Sequence, residues 1–101
     1  MIIYNVTVKV ENEIHDEWIK WMKDVHVPDV LATGYFSNCR ICRVISVQDT
    51  DGMTYAFQYD CASTAVLHRY QVKESPRLKQ DVQDKFGGKF VAFRTLMEVV
   101  E

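Results

Sequence analysis

His26-Val27-Pro28-Asp29-Val30-Leu31-Ala32-Thr33-Gly34-Tyr35-Phe36 is the stretch on which the fold turns. Pro28 has no N–H to donate, so it must kink or restart any helix that reaches it. Gly34 is the residue type that terminates helices in the left-handed region. Upstream, Ile14, Trp18, Trp21, Met22 and Val25 recur at three- and four-residue spacing, the apolar stripe of a helix. Asn12 is of the N-cap type. Glu13 and Glu17 lie early in this helix and Lys20 and Lys23 late, as the helix dipole favours.

Outward from this junction the pattern is extended. Before the helix, Ile2 to Val10 alternates, with Tyr4, Val6, Val8 and Val10 on one face and Ile3, Asn5, Thr7 and Lys9 on the other. After the junction, Tyr35 to Val47 and Met53 to Cys61 each read as a strand. The segment Gln48 to Gly52 between them ends in Asp-Gly, a hairpin signal. Met53, Tyr55, Phe57 and Tyr59 share a face of the second of these strands. A second helix is capped by Ser63 or Thr64 and makes its first apolar contacts through Val66, Leu67 and Tyr70. Ser75 as N-cap with Pro76 at the first helical position then resets it. Leu78, Val82 and Phe86 continue its stripe, Gly87-Gly88 ends it, and a last strand runs from Lys89 or Phe90 to Val100. The order strand, helix, strand, strand, helix, strand is the split βαβ, or ferredoxin-like, arrangement. It predicts an α+β fold with a four-stranded antiparallel sheet and both helices on one face. Both sheet faces carry apolar residues, so the face that meets the helices stays open.

The chain has 101 residues, 48% of them hydrophobic and 12% aromatic, which suits one domain and excludes disorder. A net charge of −2 gives no basic bias toward nucleic acid. No apolar run is long enough for a membrane span. The opening Met1-Ile2-Ile3-Tyr4-Asn5 lacks a charged leader region, so the expected address is the cytoplasm. Cys39 and Cys42 have C-x-x-C spacing, but residues three apart on a strand point to opposite faces. Buried structural thiols are expected there and at Cys61.

His26 is the leading candidate for chemistry, since its imidazole can act as acid or base near neutral pH. The competing reading is a helix-end histidine bonding free carbonyls. Asp29 could orient it, but no third ligand stands at metal-site spacing, so no metal is expected. Asn5, Thr7, Arg40, Gln58 and Arg94 are polar residues within strands, where unpaired polar groups are costly. They are candidates to line a wet cavity or a subunit interface, against the alternatives of a solvated edge or ion pairs with Asp60 or Glu98. Arg40 and Arg94 could attract an anion. Trp18 and Tyr35 could contact a ligand, although core packing is the commoner role for Trp18 and Trp21, and core or interface packing the first reading for Tyr35, Tyr55 and Tyr59. His15 reads as a surface residue, and so does His68. No glycine-rich phosphate loop is present, so neither flavin nor nicotinamide is expected.

The whole chain, through its order of elements and the junction from His26-Val27-Pro28 to Gly34-Tyr35-Phe36, resembles the dimeric α+β barrel superfamily. More narrowly, the Met1 to Thr7 opening with Trp18 and that junction resembles a small bacterial family of unknown function within it, related to antibiotic-biosynthesis-monooxygenase-like domains. The resemblance implies a homodimer joined sheet to sheet and a pocket between sheet and helices or within the barrel. It also brings haem to mind through an axial helix histidine, a role that no motif around His68 supports. An exposed apolar second sheet face argues independently for a homodimer. Two functional classes follow. One is a non-catalytic homodimer that binds a small molecule or a partner. The other is a cofactor-independent monooxygenase- or isomerase-like enzyme, with His26 as base and Asn5 holding a developing oxyanion. RNA-recognition domains share the topology, and Tyr4 with Tyr55-Ala56-Phe57 suggests their aromatic strands. The missing basic-glycine pair and the acidic hairpin, with Asp49 and Asp51, make RNA the least favoured partner.

Overall fold

A computed structural model describes residues 1–101. β1 (Ile2–Glu11) leads through a short 3-10 turn into α1 (His15–Trp21), a π-helical turn (Met22–His26) and α2 (Val27–Ala32). The hairpin of β2 (Asn38–Arg43) and β3 (Gly52–Cys61) follows, then α3 (Thr64–Lys73), α4 (Ser75–Phe86) and β4 (Phe90–Glu98). The strands form one antiparallel sheet in the order β2-β3-β1-β4. This is the predicted ferredoxin-like arrangement, with helices over one face and the other face open.

Register decides which face is which. Tyr4 pairs with Tyr59 and Leu96, and Val6 with Phe57 and Arg94, so these rows share a side. Tyr4, Val8, Val10, Phe57 and Tyr59 are buried there beneath Trp18, Met22, Val30, Leu67 and Leu78. Trp18 has no exposed surface and packs on Tyr55 and edge-on against Phe57, with ring centroids 5.5 and 5.8 Å away. Truncating a tryptophan so placed costs about 3–5 kcal/mol.

Several local expectations are corrected. β2 is shorter than Tyr35 to Val47, because Phe36 turns into the core against Tyr4, Tyr59 and Tyr70. At the other end Val44 donates a last bond to the Thr54 carbonyl before the chain leaves the sheet, and Ile45 is exposed. β4 ends at Glu98, two residues early. Neither Asn12 nor Ser75 caps a helix: the cap positions are Glu11 and Glu74, and Ser75 is the buried first residue of α4. Ser63 does cap α3, accepting from the Val66 N–H at 3.2 Å. Gly34 ends α2 with φ +83, a conformation that glycine adopts without strain.

Pro28 restarts the first helix through a widened turn. The Val27 N–H bonds the Met22 carbonyl five residues back, and Pro28 lacks the donor that a continuous α-helix would send to Asp24. The turn also changes which side chains face inward. Val25, expected in the core stripe, is exposed, while Trp18, Met22, His26 and Val30 form a row at four-residue intervals. In an unbroken α-helix each such step overshoots a full turn by about 40°. The wider turn absorbs that drift and keeps His26 on the sheet side.

Candidate functional site

The inward row of the first helix and the stripe of α4 do not close completely over β1 and β4. Between them lies a cavity of about 210 Å³. Thirteen of its eighteen lining residues are hydrophobic, and six are Tyr, Trp or Phe. The floor is Tyr4, Val6 and Val8 of β1 with Phe57 and Tyr59 of β3; Ala92 and Arg94 of β4 form one wall. Met22, His26 and Val30 come from the first helix, and Ser75, Leu78, Lys79, Val82 and Gln83 from α4.

Only Lys79, Gln83 and Arg94 among the lining residues are exposed, so they mark the mouth, between α4 and the edge strand β4. No carboxylate lies within ion-pair distance of Lys79 or Arg94. Burial, together with the Arg94 charge, holds the Lys79 ammonium below its ordinary pKa. Desolvation also lowers the His26 pKa below 6.5; Asp29 and Asp81 oppose this shift and Arg94 adds to it. Burial thus favours the neutral imidazole, the form in which one ring nitrogen can accept a proton. It stacks on Trp21 with centroids 5.7 Å apart, and Trp21 meets Phe86 edge-on at 5.6 Å. Burial pushes the Tyr59 and Tyr70 phenols well up, so both stay protonated. The Trp18 indole N–H is buried and finds no acceptor in the protein, a costly state for a donor.

The structure gathers His26, Trp18 and Arg94 of the sequence candidates around this cavity. Tyr35 does not line it, and packs edge-on against Tyr70 at 6.1 Å. Asn5, Thr7, Arg40 and Gln58 lie on the opposite, open face, because they alternate with the cavity rows. There the Asn5 amide donates to the Thr7 hydroxyl at 2.9 Å and Arg40 donates to Gln58 at 3.0 Å. His26 and Asn5 are thus on opposite sides of the sheet, and their pairing as base and oxyanion donor is corrected: they cannot share a reacting atom.

His15 is also corrected from a surface residue. It is half-buried, stacks on Tyr55 at 5.6 Å and lies 2.6 Å from its hydroxyl. His68 is exposed, outside the cavity. Cys39 and Cys42 do occupy opposite faces, opposite Tyr59 and Ala56 respectively, but both are half-buried; Cys61 is buried. Burial pushes the Cys39 thiol up to about 11, which makes it a poor nucleophile. Tyr4, Tyr55 and Phe57 face the helices, so they offer no stacking platform on the open face. No three His, Cys, Asp or Glu side chains are grouped to hold a metal ion. No helix is long and apolar enough to cross a membrane.

Sequence reasoning missed Ser75, Lys79 and Gln83. Their signal is a row at four-residue intervals flanking the Leu78, Val82, Phe86 stripe, which on a solvent-covered helix is indistinguishable from ordinary surface.

The sheet and the helices over one of its faces have the ferredoxin-like fold of the solved structures that this chain is similar to. The chain belongs to the family described as a domain of unknown function (DUF4286), whose model matches residues 1–100. No curated protein matches the sequence significantly. A dimeric ferredoxin-like protein from an uncultured marine organism is similar at 12% identity and TM-score 0.71, over 100% of this chain and 96% of that one. An antibiotic biosynthesis monooxygenase is similar at 14% identity and TM-score 0.68, over 100% of both chains. An ethyl tert-butyl ether d (EthD) family protein from Bacillus halodurans gives 10% identity and TM-score 0.67, over 99% of this chain and 100% of that one. At such identities the likeness is one of fold.

Proposed function

We propose that this protein is a cytoplasmic homodimer that binds a small organic molecule in the cavity between sheet and helices. The observation that carries the reading is an aromatic-lined cavity of about 210 Å³ whose exposed lining residues are all polar. Ligand sites combine an apolar lining with a few placed polar groups in this way. Val91 and Phe93 on the open face are 68% and 63% exposed, an apolar surface that a second copy would cover. The similar ferredoxin-like protein is described as dimeric, which supports this pairing. Three free thiols suit a reducing compartment.

Native mass spectrometry of gently purified protein tests both parts together. A dimer carrying one small extra mass per chain is expected. A stable monomer overturns the pairing, and failure of any small organic compound to raise the melting temperature overturns the binding.

A second reading, a cofactor-independent enzyme, is favoured by one observation: an imidazole, that of His26, lines the cavity, where burial favours its neutral form. Its free ring nitrogen would take a proton from a bound substrate, and Arg94 would offset the negative charge left behind. The similar monooxygenase lends support. Turnover of a bound compound that vanishes in His26→Ala, with binding retained, is the result that would distinguish catalysis from binding alone.

A further inference from the structure

We infer that the cavity selects a single-ring aromatic carboxylate, bound ring inward with its carboxylate held at the mouth by Arg94 and Lys79. This inference rests on the cavity being a binding site at all. Size comes first. A cavity of about 150 Å³ lined by apolar side chains takes up benzene. About 210 Å³ therefore accommodates one ring with a short side chain. The lining favours an aromatic body, because Tyr4, Trp18, Phe57, Tyr59, Tyr70 and Phe90 offer ring faces and edges on several sides.

Charge selects the head group. Of the three exposed lining residues, Lys79 and Arg94 are cations and Gln83 is neutral. Neither cation has a carboxylate within ion-pair distance, whereas Lys9, Lys20, Arg77 and Lys89 all do. The two come from separate elements, α4 and β4, and the Arg94 charge acts on Lys79. Two cations lining one apolar opening repel, and an anion bound by both relieves that repulsion. Arg94 also presents the planar fork that suits a carboxylate. Asp29 and Asp81 are the acids whose charge reaches His26, and Asp81 lies 4.0 Å from Arg77. With those acids nearby the field is only moderately positive, which suits a monoanion better than a phosphate dianion.

The test uses 3-phenylpropionate and its neutral isostere 3-phenylpropionamide, titrated into the intact protein while tryptophan fluorescence is followed. Trp18 lines the cavity and Trp21 stacks on His26, so occupancy should reach both reporters. The acid should bind at least tenfold more tightly than the amide. Arg94→Gln should lower acid affinity about tenfold and leave amide affinity unchanged, and Lys79→Gln should act in the same direction. Both side chains are exposed, so neither change endangers the fold. Equal affinity for acid and amide overturns the carboxylate assignment while leaving the binding site intact. Acid selectivity that survives both substitutions also overturns it. If neither compound binds but larger or aliphatic ones raise the melting temperature, the aromatic assignment falls alone. If no small molecule binds, the cavity reading falls with it.

Discussion

His26 shows how one side chain can couple site and stability. Its folded pKa lies below 6.5 because it is buried, so between those two values the unfolded chain binds more protons than the folded one. Stability should be fully present above pH 6.5 and fall as pH drops through the folded value. Thermal unfolding followed between pH 7.5 and 5 should show this loss, and His26→Gln should flatten it; an unchanged slope would mean that His26 is not the group responsible. The place of His26 in the cavity lining could be anticipated, since an ionisable residue stands where a helix must break before Pro28. Its companions were harder to find. Asn5 looked as eligible as Arg94, because both are polar residues inside strands. Only the side on which the helices settle separates them, and with Ile3, Ala56 and Phe93 on one face and Val6, Phe57 and Ala92 on the other, composition could not choose it.

At the level of elements, the π-helical turn behaves as a one-residue insertion into an otherwise regular helix. Deleting the exposed Val25 would leave Trp18, Met22, His26 and Val30 at four-, three- and four-residue spacings, one face of a plain α-helix. The deletion variant should fold, with circular dichroism and a melting temperature within a few degrees of the parent. Collapse of the fold would show that the wide turn is structurally required. The hairpin makes a sharper demand. A Cβ on Gly52 would sit 2.5 Å from the Val10 carbonyl oxygen, which is backbone and cannot yield. Gly52→Ala should therefore cost about 1–3 kcal/mol in urea unfolding. Asp51-Gly52 was readable as a turn, but not the close approach of β1, since that contact joins segments far apart in sequence. The helix breaks were readable because Pro28 and Pro76 act locally. The early end of β2 was not, because Phe36 is drawn inward by Tyr4, Tyr59 and Tyr70, three residues from three other elements.

For the whole molecule, the proposed pairing through the open face makes Phe93 its most informative position. Phe93→Asp would put a charge in place of the exposed ring on that face, in a contact that needs about 800 Å² buried per partner to be stable. Sedimentation should show the parent as a dimer and the variant as a monomer with unchanged circular dichroism; a variant that stays dimeric would move the interface elsewhere. Strand order was legible from the sequence of elements alone, because the split βαβ arrangement puts the first strand between the third and the last. That placement has a consequence during biosynthesis. Within this fold β1 is made before every other element, yet β4, one of the two strands that flank it, is made after all of them. At roughly 5–20 residues per second, the nascent chain passes through an interval in which a Val-rich strand has one side unpaired. Until β4 arrives, that side of β1 is an unpaired strand edge, a template for pairing with another chain.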